Sequence, residues 1–193
     1  MTETVVGLFR HGQTDWNVNF LLQGVTDIPM NQVGVEQIRT ASKAIRPSDW
    51  DLIVSSPLGR AKHSAEIINE VLGFNSVIEH ELLIERSFGE AEGLSYEQWR
   101  EKYGSLDVIP GGESRSDLES RSLTLLETFR TEFRGKRVLA VSHGALIRTL
   151  IAIASNQTLP KDGERLQNAS LNVVRHVNSN WEIVNYQLEA LKP

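Results

Sequence analysis

An apolar run opens the chain: Val5, Val6, Leu8 and Phe9, with β-branched members, predict a buried strand that stops at Arg10 and His11. Gly12 then lets the backbone turn or approach a ligand with no Cβ in the way. The same arrangement returns far along the chain, where Val138, Leu139, Ala140 and Val141 run into Ser142, His143 and Gly144. Residues 145–154 follow as an apolar helix. Two parallel strands ending side by side would bring His11 and His143 together, in the crevice beyond the carboxyl ends where open α/β sheets bind ligands.

Between these strands the pattern alternates. Residues 17–30 have no sustained period and contain Gly24, Asp27 and Pro29, so they read as a loop over the strand end. Asn31 caps a helix with Val33, Ile38, Ala41 and Ile45 as its stripe, ending before Pro47. Leu52, Ile53 and Val54 form a second strand, and Ser55-Ser56-Pro57 turns it into a helix carrying Ala61, Ala65, Ile67, Ile68 and Val71, closed by Gly73. Val77 and Ile78 are a weaker strand. Ser95 with Gln98 reads as a capping box for a short helix through Trp99, and Ser116 with Glu119 as another, opening a helix with Leu118, Leu125, Leu126, Phe129 and Phe133 on one face. Residues 170–177 and 181–188 flank Asn178-Ser179-Asn180 as a closing hairpin. Strands alternating with helices predict an α/β fold in three layers: a mostly parallel central sheet with an antiparallel edge strand and helices on both faces.

Composition narrows the function classes. The 193 residues show no Pro/Gly/Ser-rich or charge-block linker, which predicts one domain over 1–193. A net charge of −5 argues against a nucleic-acid or anionic-membrane surface, since both need a basic excess. Cysteine is absent, which removes disulfides, thiolate metal sites and a cysteine nucleophile. The first residues show no signal-peptide pattern, and the longest apolar span carries Arg148, so the cytoplasm is the expected location.

Two strand-end histidines with nearby arginines suit an anion better than a metal. Arg10 beside His11 repels a cation, and the chain has neither His-Glu-x-x-His nor His-x-His, so no metal and no cofactor are expected. Arginine matches phosphate oxygens with parallel hydrogen bonds. At Ser55-Ser56-Pro57-Leu58-Gly59-Arg60 the helix start offers free amides and the positive end of its dipole, with Arg60 in the first turn, which predicts a second anion contact. His63, His80 and His176 receive no function, and Trp16, Trp99 and Trp181 read as packing.

The ordered set Arg10-His11-Gly12, Asn17, Gly24, Ser55-Ser56-Pro57 with Arg60 and Ala61, Leu83-x-Glu85-Arg86, Phe88-Gly89, Glu92-Gly93, Gly112-Glu113-Ser114 and Ser142-His143-Gly144 resembles the histidine phosphatase superfamily, also called phosphoglycerate mutase-like. The resemblance implies that His11 becomes phosphorylated, with Arg10, Arg60 and His143 holding the phosphoryl group. It makes Asn17, Gln23 and Gly24 further contacts and Glu85 the proton donor. A neutral imidazole is a competent nucleophile near pH 7, fixed cationic donors stabilise the transferring group, and a carboxyl partly buried beside a dianion keeps a proton to donate. Residue physics alone leaves Glu85, Glu90 and Glu92 open as that donor; the Leu-x-Glu match favours Glu85.

Within the family, the modest segment between Gly93 and Gly112 and the end at Pro193 point away from the longer mutases, whose insertion and tail shield the phosphohistidine from water. Gln13, where mutases usually carry glutamate, leans the same way; Arg86 leans towards them, because their arginine helps hold a substrate carboxylate. The expectation is a metal-independent phosphomonoesterase of the histidine acid phosphatase type acting on a small phosphorylated metabolite. The alternatives are a 2,3-bisphosphoglycerate-dependent phosphoglycerate mutase and a non-catalytic phosphate-binding domain. Nucleic acid and membrane are not expected partners, and a homodimer is left open.

Overall fold

The computed structural model describes residues 3–188. Six strands form one sheet in the order β3-β2-β4-β1-β5-β6: β1 (Thr4–Arg10), β2 (Leu52–Ser55), β3 (Ile78–Glu79), β4 (Arg137–Ser142), β5 (Leu171–Val177) and β6 (Asn180–Leu188). The first four run parallel, and the antiparallel hairpin β5–β6 makes one edge. Asn178 and Ser179 both have positive φ, 50° and 66°, which is what a two-residue hairpin turn matched to strand twist requires.

The period-2 alternation of the central strands sorts two cores. Val6, Leu8, Val138 and Ala140 face one side, against Leu125 and Phe129 of α5 (Arg115–Thr131) and Leu146, Ile147 and Leu150 of α6 (Gly144–Ala154). Phe9, Leu139 and Val141 face the other, against Ile38 and Ala41 of α2 (Gln32–Ser42) and Ala61, Ala65 and Ile68 of α3 (Gly59–Leu72). Each strand therefore contributes to both layers, as sheets covered on two faces do. Gly7 in β1 is a packing requirement: a Cβ there would lie 2.3 Å from the Trp50 ring.

Several local expectations need correction. A four-residue helix α1 (Asp15–Val18) interrupts the region read as loop; it is too short to show a period, and its capping box pairs Thr14 with Asn17. The long helix α5 is capped by Ser114, whose hydroxyl accepts from the Asp117 amide, and Ser116 lies within the first turn. Val33 and Val71 are exposed, while their neighbours Gly34 and Leu72 are buried. The remaining helix, α4 (Tyr96–Tyr103), has the expected Ser95–Gln98 capping box and runs one turn past Trp99. Among the described residues no helix is long and apolar enough to cross a membrane.

Candidate active site

Because β1 and β4 are parallel neighbours with Arg10 opposite Ser142, the residues that follow them leave the sheet together. His11 and His143 are both buried, with ring centroids 5.2 Å apart. The Nδ1 of His11 lies 2.7 Å from its neighbour's carbonyl, Gly12 O. A carbonyl only accepts, so Nδ1 carries the proton and the neutral ring presents Nε2 as a lone pair. Burial, followed by the charges of Arg10 and Arg60, holds the His11 imidazole well below its ordinary pKa. His143 is lowered likewise, again mostly by burial and then by Arg60. Its Nε2 is 2.7 Å from Ser56 Oγ at the end of β2, and its Nδ1 is buried with no hydrogen-bond partner among the described residues. Gly12 has a different purpose from the expected one. A Cβ there would sit 2.5 Å from Gly34 O and 2.6 Å from Met30 Sδ, so it admits the start of α2 rather than a ligand.

Arg60 is 1% exposed, an unusual position for a guanidinium. Its Nη2 donates to Gly24 O at 2.6 Å and its Nη1 to Thr26 O at 2.9 Å, leaving Nε buried without a partner among the described residues. Gly24 thus serves the site by fixing Arg60 through its carbonyl. The α3 start is not free as expected: the Gly59 amide donates to Asp27 Oδ2 at 2.9 Å. Arg10 donates from Nη1 to Leu166 O, and its Nε is also buried with no partner among the described residues. Burial lowers the Arg10 pKa to about 10, opposed by Glu85 and reinforced by Arg60, Arg148 and Arg165, so it remains a cation at neutral pH. Burying such a charge costs several kcal/mol unless it is paired, and convergent buried charges mark functional sites.

Asn17 and Gln23 form a support network. Asn17 Nδ2 and Thr14 Oγ1 both donate to Gln23 Oε1, at 3.1 and 2.7 Å. Asn17 Oδ1 accepts from Asn168 Nδ2 at 3.1 Å, and the same amide group donates to His11 O at 3.0 Å. Of this set Asn17 and Asn168 line the cavity described below; Gln23 stands behind them. Asn168 and Ser56 are site residues that sequence reasoning gave no role, although Ser56 lay within a quoted motif.

The three competing glutamates separate cleanly. Glu85 is buried at the start of α6, its Oε2 accepting from Ala145 N at 3.0 Å and its Oε1 from Leu146 N at 3.1 Å and Arg86 N at 2.8 Å. It lies near enough to Arg10 and Arg60 to act on both electrostatically. Glu92 instead braces the loop after Gly24, accepting from Val25 N, Thr26 N and Phe88 N. Glu90 is exposed and accepts from Tyr103 Oη at 3.2 Å. Arg86 is engaged by the segment after residue 105: Nε donates to Glu113 O, and Nη2 pairs with Asp107 at 2.7 Å. Arg86 does not line the cavity described below, and the Glu-Arg dipeptide gives its two side chains different partners.

A cavity of about 690 Å³ opens beside the Arg10 end of β1, bounded by Asn17, Gly144, Ala145 and Arg148. Tyr96 and Trp99 of α4 form one wall, so the segment after Gly93 does reach the pocket, and Trp99 both packs and lines. The segment 165–168, irregular and without a motif, forms another wall.

A buried imidazole with Nε2 as its lone pair, beside two buried guanidiniums and a second histidine, suits a tetrahedral anion. The model of the histidine phosphatase superfamily (branch 1) matches residues 6–189. The chain belongs to the histidine phosphatase superfamily. Its similarity to other members of the superfamily spans nearly the whole chain: it is 37% identical to an uncharacterized phosphatase, PhoE, of Bacillus subtilis over 97% of this chain and 96% of that one. It is 34% identical to a probable phosphoglycerate mutase, GpmB, of Photorhabdus laumondii, over 91% of this chain and 86% of the other. A solved superfamily structure, mycobacterial glucosyl-3-phosphoglycerate phosphatase in complex with VO3, superposes with a TM-score of 0.79 at 28% identity, covering 95% of this chain and 98% of that one.

Proposed function

We propose that this member of the superfamily is a metal-independent phosphomonoesterase that hydrolyses a small phosphorylated metabolite through a phosphohistidine on His11. The observation that carries the reading is the set of buried nitrogens without partners among the described residues, Arg10 Nε, Arg60 Nε and His143 Nδ1, beside an imidazole whose Nε2 is the free lone pair. In this reading Ser56 Oγ, which accepts from Leu58 N at 3.3 Å, gives its own proton to His143 Nε2, and the ring keeps Nδ1–H to donate. The three nitrogens then offer three donors to three phosphoryl oxygens.

In the first step His11 Nε2 bonds to phosphorus as the ester P–O bond breaks, and Glu85 gives its proton to the departing oxygen. In the second, water attacks phosphorus, its proton passes to Glu85, and the P–N bond breaks to release inorganic phosphate. Fixed arginine charges balance the three oxygens throughout, the role metal ions fill in other phosphoryl-transfer enzymes. Phosphate release by the purified protein, in the presence of a chelator, over p-nitrophenyl phosphate, 3-phosphoglycerate, phosphoserine and sugar phosphates tests this. Turnover unaffected by the chelator is expected. Phosphate exchange between two positions of phosphoglycerate, without net release, would establish the mutase reading in its place.

A further inference from the structure

The cavity holds more positive charge than one phosphoryl group uses. Arg10, Arg148 and Arg165 all line it, and among the described residues no aspartate or glutamate does, in a chain whose net charge is −5. Arg148 is partly committed, donating from Nη2 to Glu164 O. Arg165 is not: it makes no hydrogen bond or ion pair among the described residues, and its guanidinium lies over the Phe20 ring at 5.0 Å.

Arg165 is nevertheless held in place, because the segment around it is tied to the site on both sides. Arg148 bonds Glu164 O, Arg10 bonds Leu166 O, and Asn168 bonds the backbone of His11. Its aromatic platform is held too. Phe20 is 65% exposed and has φ of 54°, a left-handed conformation that bulky residues rarely adopt, fixed by Leu21 N donating to Trp16 O and by the bridge from Leu21 to Ser95. Strain of this kind, at the mouth of a cavity, serves function more often than folding. The charge is felt inside, since Arg148 and Arg165 both depress the Arg10 guanidinium.

Resting on the phosphoryl site proposed above, we infer that the substrate carries a second anionic group, a carboxylate or a second phosphate, on its alcohol portion, and that Arg165, set on Phe20 with Arg148 behind it, is the residue that selects for it. A cationic pocket in an acidic protein also concentrates such dianions and trianions from solution.

The test uses esters that differ only in the second charge: 3-phosphoglycerate against glycerol 3-phosphate for a carboxylate, and propane-1,3-diol bisphosphate against its monophosphate for a phosphate. In the wild type, kcat/KM favours the doubly charged member of at least one pair by about tenfold or more, as one charge-assisted hydrogen bond allows. R165Q collapses that ratio to within about threefold, R165K restores part of it, and added salt erodes it. Whichever pair shows the preference identifies the group. The same pairs, titrated calorimetrically into H11A, read the ratio with no chemistry. If no ester is hydrolysed, the hydrolase reading fails while this binding ratio still decides the inference. A wild-type ratio near one for both pairs, or R165Q lowering both members equally, overturns it.

Discussion

Ser56 Oγ and His143 Nε2 are 2.7 Å apart, joining the end of β2 to the end of β4 inside the sheet's carboxyl edge. This contact sets the rotation of a buried ring whose other nitrogen has no partner among the described residues. S56A leaves Nε2 unsatisfied as well. Stability is expected to fall by ~1–3 kcal/mol in a denaturant titration, the range for an unpaired buried polar group. A misaimed ring that loses about one hydrogen bond's worth of transition-state stabilisation lowers kcat about tenfold. An S56A enzyme with wild-type kcat would remove His143 orientation from the account.

Glu85 is tested through the leaving group. E85Q keeps one acceptor oxygen but turns an NH2 towards the backbone amides that its carboxylate accepts at the start of α6. The expected loss in kcat is about 10²-fold or more on alkyl phosphates, the range for general acid catalysis, and clearly smaller on p-nitrophenyl phosphate, whose phenolate departs without a proton. Equal losses on both would leave Glu85 as an electrostatic or structural residue only.

Glu92 should behave in the opposite way. Burial pushes its carboxyl up, but hydrogen bonds from Thr26, Phe88 and Val25 outweigh it and the net shift is downward. Its work is to hold the loop whose Gly24 and Thr26 carbonyls fix Arg60. E92A is expected to lower stability by roughly 1–3 kcal/mol, the range for hydrogen bonds to a charged acceptor, and to raise KM through a loosened Arg60. The loss is independent of leaving group; a leaving-group-dependent loss would reassign the proton donor.

The two site imidazoles give a pH prediction with a definite sign. Both have folded values below the ordinary 6.5, mainly through burial, so just below that pH the unfolded chain binds more protons than the folded one. Stability contributed by their neutral forms is therefore present above 6.5 and lost as pH falls from 6.5 towards the folded values. Nitrogen-detected NMR of the ligand-free protein should find both rings neutral at pH 6, with Nδ1 of His11 protonated. A ring that titrates at or above 6.5 would contradict the electrostatics of the site.

What the sequence made legible is what chain periodicity and strand ends encode. Apolar runs ending in His11 and His143 placed both rings correctly, because parallel strands share an edge and the residues beyond them must meet. Side-chain partners were not legible. Arg86 follows Glu85 directly, yet bonds Glu113 and Asp107, a choice made by contacts far along the chain. Arg165 lies in an irregular stretch with no period, and only the bonds from Arg10, Arg148 and Asn168 bring it to the cavity. Thr14 and Asn17 did carry a signal, a capping pair for a helix too short to show a stripe.

The most direct test is rapid quenching of the enzyme during turnover of a 32P-labelled ester, with the labelled peptide identified by mass spectrometry. The account predicts a base-stable, acid-labile phosphoryl group on His11 that forms and decays to inorganic phosphate no slower than kcat, and none in H11A. Steady release of phosphate without label on His11, or label that persists until a second phosphorylated acid accepts it, would contradict a hydrolase working through that histidine.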